Sequence, residues 1–247
     1  MGSIDTTGYS FTAAPETVSF DSFLFDMDGT IIGSTAAVEK HWEGIGKDIG
    51  VAPEIILQTS HGRRTIDMLK LLAPEKATWE YVQSKEALLP QLYGSDAVEI
   101  PGARSLLSSL ISLSAPWTIV TSGTIPLVTG WLKVLNLPMP EHLVTAESVQ
   151  NGKPDPACYR LGREKLGEVA AGKGKEVLVL EDAPAGIRAG KAAGCRVVGL
   201  VTSHSVEEVL SAGPDWVVKD LTQVKVVRKG EEDGKFVLEI GGLLVRN

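Results

Sequence analysis

Four short segments of this chain carry the residue types that chemistry uses, and each follows an apolar run. Asp26 and Asp28 come after Ser22 to Phe25, Thr121 and Ser122 after the run that starts at Trp117, Lys153 after the segment that starts at His142, and Glu181 with Asp182 after Val177 to Leu180. Two carboxylates two residues apart, joined by a third from another strand, suit a hard, oxygen-seeking divalent cation such as Mg2+, which keeps several waters and takes few protein ligands. Lys153 and the Thr121 hydroxyl suit an anion beside that cation, most naturally a phosphoryl group. Taken singly, each feature has a plainer reading: Asp28-Gly29 is a common turn, Lys153 before Pro154 a solvated loop lysine, Glu181-Asp182 a cap for the next helix. A calcium loop is excluded, because the twelfth position from Asp26 is Ala37, where a bidentate glutamate is required. The joint occurrence, each segment behind a strand, points to a phosphoryl-transfer site.

Such a site needs elements to bring the four segments together. Beyond Pro101 the hydrophobic pattern alternates between helix and strand periods. Helices are predicted over Gly102 to Leu113, Ile125 to Asn136, Pro156 to Leu166, Gly186 to Ala193 and Val206 to Ala212. Strands are predicted over Trp117 to Thr121, His142 to Thr145, Val177 to Leu180, Arg196 to Leu200 and Trp216 to Val218. This alternation implies a parallel sheet with helices on both faces, and ligands of such sheets gather outside the carboxyl ends of the strands. From Thr35 to about Ala97 the pattern is helical, with Val38, His41, Trp42, Ile45 and Ile49 on one face, so a helical block is inserted after the first strand. Val224 to Val245 alternates around Glu231-Glu232-Asp233-Gly234 and predicts a terminal β-hairpin. Met1 to Phe20 has neither a basic start nor an apolar signal core and reads as a loose tail.

Composition narrows the partners. The 247 residues include 31 Asp plus Glu against 24 Lys plus Arg, for a net charge of -7, and no basic run exists, which argues against a nucleic-acid or anionic-membrane surface. The longest uncharged stretch, Ser105 to Leu132, is broken by Pro116, Gly123, Pro126 and Gly130, so no membrane segment is expected. Two cysteines, Cys158 and Cys195, make no disulfide framework, and cytoplasm is the simplest compartment. The hydrophobic fraction of 43% is ordinary, and a monomer is the default.

Other candidates are weaker. Gly172-Lys173-Gly174 precedes a strand rather than following one and reads as a flexible turn. Both cysteines lie in apolar patterns that suit structural thiols. His41 shares the apolar stripe with Trp42 and reads as packed, while His142 and His204 have no visible partner. Ser60-His61-Gly62-Arg63-Arg64-Thr65 gathers polar and basic groups between two helices of the inserted block, either as a capped connection or as a substrate contact.

The segments Asp26-Met27-Asp28-Gly29-Thr30, Thr121, Gly152-Lys153-Pro154-Asp155 and Glu181-Asp182-Ala183-Pro184-Ala185-Gly186 resemble the four motifs of the haloacid dehalogenase superfamily. Ser60 to Thr65, Val120 to Gly123 and Gly186 to Gly194 are also similar to its fungal glycerol-1-phosphatases and 2-deoxyglucose-6-phosphate phosphatases, and the similarity covers nearly everything after Phe20. The resemblance implies an α/β fold: a Rossmann-like parallel sheet core, residues 21–34 and 98–247, with an inserted, mobile α-helical cap at 35–97. It implies that Asp26 attacks phosphorus and forms an aspartyl-phosphate, and that Asp28 protonates the departing alcohol and then activates water. Mg2+ would be held by Asp26, the backbone carbonyl of Asp28 and Asp182, with Glu181 orienting the ligands or binding directly. Thr121, Ser122 and Lys153 would steady the phosphoryl oxygens, and the cap residues His61, Arg63 and Arg64 would approach a small phosphate monoester on closure.

The aspartate at position 28 resembles that of the family's phosphatases and phosphomutases, whereas its dehalogenases and phosphonatases lack it. A sugar phosphomutase of the β-phosphoglucomutase type is the nearest alternative, and a binding module that kept the fold without the chemistry is a more distant one.

Overall fold

Apolar runs of two to five residues pair into one parallel sheet. The computed structural model describes residues 8–60, 62–167 and 176–246. Its strands, in chain order, are β1 (Tyr9–Ala13), β2 (Glu16–Phe20), β3 (Ser22–Phe25), β4 (Ile32–Gly33), β5 (Val98–Glu99), β6 (Trp117–Val120), β7 (Leu143–Val144), β8 (Val177–Glu181), β9 (Arg196–Leu200), β10 (Trp216–Val218), β11 (Val224–Lys229), β12 (Phe236–Ile240) and β13 (Leu243–Arg246). The helices are α1 (Thr35–Ile49), α2 (Pro53–Ser60), α3 (Thr65–Leu72), α4 (Trp79–Glu86), α5 (Leu89–Leu92), α6 (Ala103–Ser112), α7 (Ile125–Val134), α8 (Ala157–Lys165), α9 (Pro184–Ala192) and α10 (Val206–Ser211).

The main sheet has the order β10-β9-β8-β3-β6-β7, with parallel pairing throughout. Side chains of successive strand residues face opposite sides, which is why these strands are mostly apolar on both faces. Phe23, Phe25, Leu178 and Leu180 pack with Leu106, Leu110, Val128 and Trp131 of α6 and α7. Leu24, Val177 and Val179 pack on the other side with Cys158, Tyr159, Ile187 and Val209 of α8, α9 and α10. The first strand of this sheet, β3, lies at its middle, between β6 and β8. The carboxyl ends of these three strands therefore open onto one crevice.

Helices α1 to α5 follow β4 and precede β5, and they carry a hydrophobic cluster of their own, with Trp42, Ile45, Ile56, Ile66, Met68, Leu69 and Val82 buried together. β4 and β5 pair antiparallel, Ile32 with Glu99 and Gly33 with Val98, so the two chain crossings into this helical insertion are tied side by side.

The N-terminal segment departs from the loose tail expected of it. β1 pairs antiparallel with β13 and β2 with β12, so residues 9–20 are held by strands from the far end of the chain. Phe20 is buried and meets Trp216 edge-on, and Tyr9 and Phe11 pack against the α8–α10 side. At the C-terminus β11 and β12 form a hairpin, Val224 opposite Ile240, and β13 adds a strand that the two-strand reading does not contain. Residues 1–7 and the Gly172-Lys173-Gly174 turn lie outside the described residues. Among the described residues no helix is long and apolar enough to cross a membrane.

Candidate active site

The first turn after β3 sets the site. Gly29 adopts a φ of +90°, and a Cβ placed on it would lie 2.1 Å from Asp182 Oδ2. Only glycine allows the Asp182 carboxylate this close approach to the backbone. The turn brings Asp26 and Asp28 to a cleft lined also by Thr121, Ser122, Gly123 and Asp182 from the other strand ends and by Val38, His41, Trp42, Arg63 and Glu86 from the helical insertion.

Lys153 is the hub of the buried charges. Its ammonium donates to Asp26 Oδ1 at 2.5 Å, to Glu181 Oε1 at 2.7 Å and to the carbonyl of Val120 at 3.2 Å, which uses all three of its N–H bonds. Burial alone would lower the lysine's pKa, but the Asp26 and Glu181 carboxylates raise it, and it stays charged. Burial pushes the Asp26 carboxyl up and Lys153 opposes that push. With Oδ1 occupied by the lysine, Oδ2 is the Asp26 oxygen left to act on a ligand. Asp28 is raised by burial, against the pull of Ser34, whose hydroxyl donates to Asp28 Oδ1 at 2.5 Å.

Glu181 has no free oxygen. Oε1 accepts from Lys153 and from the Tyr159 hydroxyl at 3.2 Å, and Oε2 accepts from the backbone N–H of Ala183 at 2.7 Å, just before α9. It therefore both caps that helix start and holds the lysine. Asp182 accepts from the Thr30 hydroxyl at 3.1 Å and from Ser203, and His204 Nδ1 lies 3.7 Å from its Oδ2.

Asp26, Glu181 and Asp182 offer oxygen atoms that all lie within 4.8 Å of one another, and all three residues are buried. Three buried carboxylates face one lysine, so the cluster carries more negative charge than its own cations balance. That donor set of hard oxygens fits a divalent cation. Glu181 is engaged with Lys153 and the start of α9, while Asp26 keeps Oδ2 without a hydrogen-bond donor among the described residues.

Other predicted residues are placed differently from expectation. Thr121 Oγ1 accepts from the N–H of Gly123 at 3.0 Å and keeps its own proton for a ligand. Ser122, expected to bind phosphate, spends its proton on the carbonyl of Gly62 in the helical insertion at 2.9 Å. Arg63 is exposed and lines the cleft, whereas Arg64, expected to reach the substrate, is buried and points away from it. Its Nε and Nη2 grip Asp67 at 2.6 and 2.9 Å, and its remaining donors go to the carbonyls of Ala146, Val149 and Gln150 at 3.0, 2.7 and 2.9 Å. All five guanidinium N–H bonds are consumed, so none is left for a ligand. His61 lies outside the described residues. Burial pushes the Cys158 thiol up to about 11, which fits a structural cysteine.

Five residues that the sequence reading did not assign to the site contribute to it. Thr202, Ser203 and His204 follow β9 as the other site residues follow their strands, and that shared rule would have found them; Thr202 donates to the carbonyl of Gly29, and His204 does have a partner in Ser203 at 2.8 Å. Glu86 of α4 is buried at the seam, accepting from Thr65 Oγ1 at 2.6 Å and from the N–H and hydroxyl of Thr124 at 2.8 and 2.7 Å. His41 lines the cleft from α1.

Residues 20–194 match the family model of the haloacid dehalogenase-like hydrolases. The chain is 40% identical over 221 residues to glycerol-1-phosphate phosphohydrolase 1 of Saccharomyces cerevisiae, an alignment covering 87% of this chain and 88% of the yeast protein. It is 38% identical over 243 residues to 2-deoxyglucose-6-phosphate phosphatase 1 of the same organism, covering 92% of this chain and 98% of the other. Among solved structures, a hydrolase from Pseudomonas syringae superposes with a TM-score of 0.67 at 29% identity, covering 81% of this chain and 94% of that one.

Proposed function

The chain belongs to the haloacid dehalogenase-like hydrolases, and on that premise we propose that it is a Mg2+-dependent phosphatase of small sugar or polyol phosphate monoesters. The observation that carries this reading is the buried Asp26–Lys153–Glu181 chain at the strand ends, with Asp182 and Thr121 facing the same cleft. In the proposed division of labour, residues 21–34 and 98–247 form the catalytic core and 35–97 the cap, a boundary supported by the β4–β5 pair at the two crossings.

Asp26 Oδ2 attacks phosphorus while Lys153 fixes the other carboxylate oxygen, and the resulting aspartyl-phosphate divides one hard displacement into two easier ones. Asp28, whose pKa is raised by burial and whose carboxyl is oriented by Ser34, gives its proton to the departing alcohol and then takes one from the water that clears the intermediate. The Thr121 hydroxyl and the Lys153 charge steady the phosphoryl oxygens. Asp26, Asp182 and the Asp28 carbonyl would hold the Mg2+, which supplies charge neutralisation to the phosphoryl group. The helical cap narrows access of bulk water to the cleft. Two free, buried cysteines suit a protein of the cytoplasm, and we take it to act as a monomer.

The test is release of inorganic phosphate, with Mg2+ and with EDTA, across glycerol-1-phosphate, 2-deoxyglucose-6-phosphate and a panel of hexose, pentose and polyol phosphates, with Asp26→Asn protein as the blank. Metal-dependent release by the wild type and none by folded Asp26→Asn is expected. Equal release by both proteins would refute Asp26 as the nucleophile.

A further inference from the structure

Buried polar side-chain atoms in folded proteins nearly always have a hydrogen-bond partner, so an orphan asks for an explanation. Among the described residues three such atoms have none: Trp131 Nε1, Glu147 Oε2 and His41 Nε2. Of these three residues, His41 alone lines the catalytic cleft.

His41 sits on α1 of the cap and is 8% exposed. Its ring meets Trp42 edge-on, with centroids 5.6 Å apart, and Val38, Trp42, Leu89 and Leu127 are the apolar residues that line the same cleft. Burial, reinforced by the positive charge of Lys85, lowers its pKa to about 4. The imidazole is therefore neutral near pH 7 and presents one N–H and one lone pair. A neutral ring of this kind matches a hydroxyl group better than an anion. The anion already has partners in the Thr121 hydroxyl, which lines the same cleft, and in the charge of Lys153 beside Asp26.

Taking the phosphomonoesterase reading as its basis, we infer that His41 Nε2 hydrogen-bonds a hydroxyl of the leaving alcohol and so selects polyhydroxylated phosphate esters over apolar alkyl ones. The surrounding Val38, Trp42, Leu89 and Leu127 cover the carbon skeleton, and His41 fixes where along that skeleton a hydroxyl must stand. An ester without that hydroxyl leaves a buried nitrogen unpaired in the closed complex. Sites built to hydrogen-bond a substrate group discriminate strongly against analogues that lack it.

The experiment compares kcat/KM for the wild type, His41→Phe and His41→Gln on glycerol-1-phosphate, sorbitol-6-phosphate, glucose-6-phosphate, 2-deoxyglucose-6-phosphate and n-propyl phosphate, with thermal melts for each protein. For the best hydroxylated substrate, the ratio of its kcat/KM to that of n-propyl phosphate should fall roughly 10- to 100-fold in His41→Phe and recover in part in His41→Gln, which restores a hydrogen-bonding group. An unchanged ratio in an active, folded His41→Phe overturns the inference, as does an equal loss on n-propyl phosphate, which would mark a packing role. If His41→Phe does not fold, His41→Gln carries the test, and an unchanged wild-type ratio with a tenfold loss of overall rate counts against hydroxyl recognition. Wild-type protein that releases phosphate from none of the five esters would instead sink the phosphatase reading, and the hydroxyl contact with it.

Discussion

Arg64 donates from Nη1 to the carbonyl of Val149 at 2.7 Å, and this bond spans the seam between the cap helices and the loop that delivers Lys153. The companion bonds to Ala146 and Gln150 place the whole strap under the guanidinium, and Asp67 balances its charge. Arg64→Met keeps most of the stem but leaves three carbonyls without their donor and Asp67 with Lys70 as its remaining partner. Breaking a buried, charged network of this kind costs about 3 kcal/mol. Denaturant unfolding should show that loss, and kcat/KM should drop by a similar factor on every substrate, since the Lys153 loop is displaced for all of them. A loss confined to particular substrates, with stability intact, would return Arg64 to the role of substrate contact.

Arg63, one residue earlier, has the opposite character. It is exposed and lines the cleft, so its removal costs little structure. Arg63→Ala should stay within about 0.5 kcal/mol of the wild type in stability, as surface substitutions generally do, while KM for phosphate esters rises roughly tenfold through loss of a charge-assisted contact. An unchanged KM would remove Arg63 from the ligand-binding set.

The Gly29 turn allows the metal ligand set to be perturbed without touching a ligand. Gly29→Ala puts a methyl group 2.1 Å from Asp182 Oδ2, so the carboxylate must move. Outer positioning groups of this kind change metal affinity by roughly 10- to 100-fold. Calorimetric titration of the protein with Mg2+ should show that weakening directly. Gly50→Ala serves as the control: its φ is +70° but nothing lies within 4 Å of an added Cβ, so it carries backbone strain of about 1 kcal/mol without the clash. Equal Mg2+ affinity in Gly29→Ala and the wild type would show that Asp182 is not a ligand.

How far the molecule could be read beforehand follows from where each interaction lives in the chain. The main sheet was legible because β3, β6, β8 and β9 are each buried on both faces, so each is a mostly apolar run followed by chemistry-bearing residues. Asp26 and Glu181 could be grouped because they stand at the ends of such runs, and Lys153 joined them because it follows β7 in the same strand-then-loop order. The roles of Arg64 and Ser122 could not be read in this way, because their partners are backbone carbonyls, which every residue has and no sequence pattern marks. β1 and β2 were missed for a related reason: each is only five residues long, and their pairing partners lie at the opposite end of the chain, in β13 and β12. His41 fits an apolar stripe by position, and its significance rests on the lack of a partner for one atom, which only the folded arrangement reveals.

The Glu86 carboxyl gives the cap–core seam a dependence on pH whose sign can be worked out. It is fully buried between Thr65 of the cap and Thr124 of the core, and burial raises its pKa from 4.5 to about 7, against the hydrogen bonds from both threonines. The folded protein therefore holds this proton more tightly than the unfolded chain. The stabilisation is complete below the unfolded value near 4.5 and is lost as pH rises through about 7, where a charge must be kept in a dry site. Glu86→Gln preserves the shape and has no proton to lose; its amide can donate to Thr65 while its carbonyl accepts from Thr124. The stability of Glu86→Gln relative to the wild type should therefore improve between pH 5 and pH 8, by up to about 3 kcal/mol. Paired denaturant curves at several pH values measure this difference. Parallel pH profiles for the two proteins would mean that Glu86 stays ionised at the seam, as a charged cap for the start of α7, and that closing the cap carries no proton with it.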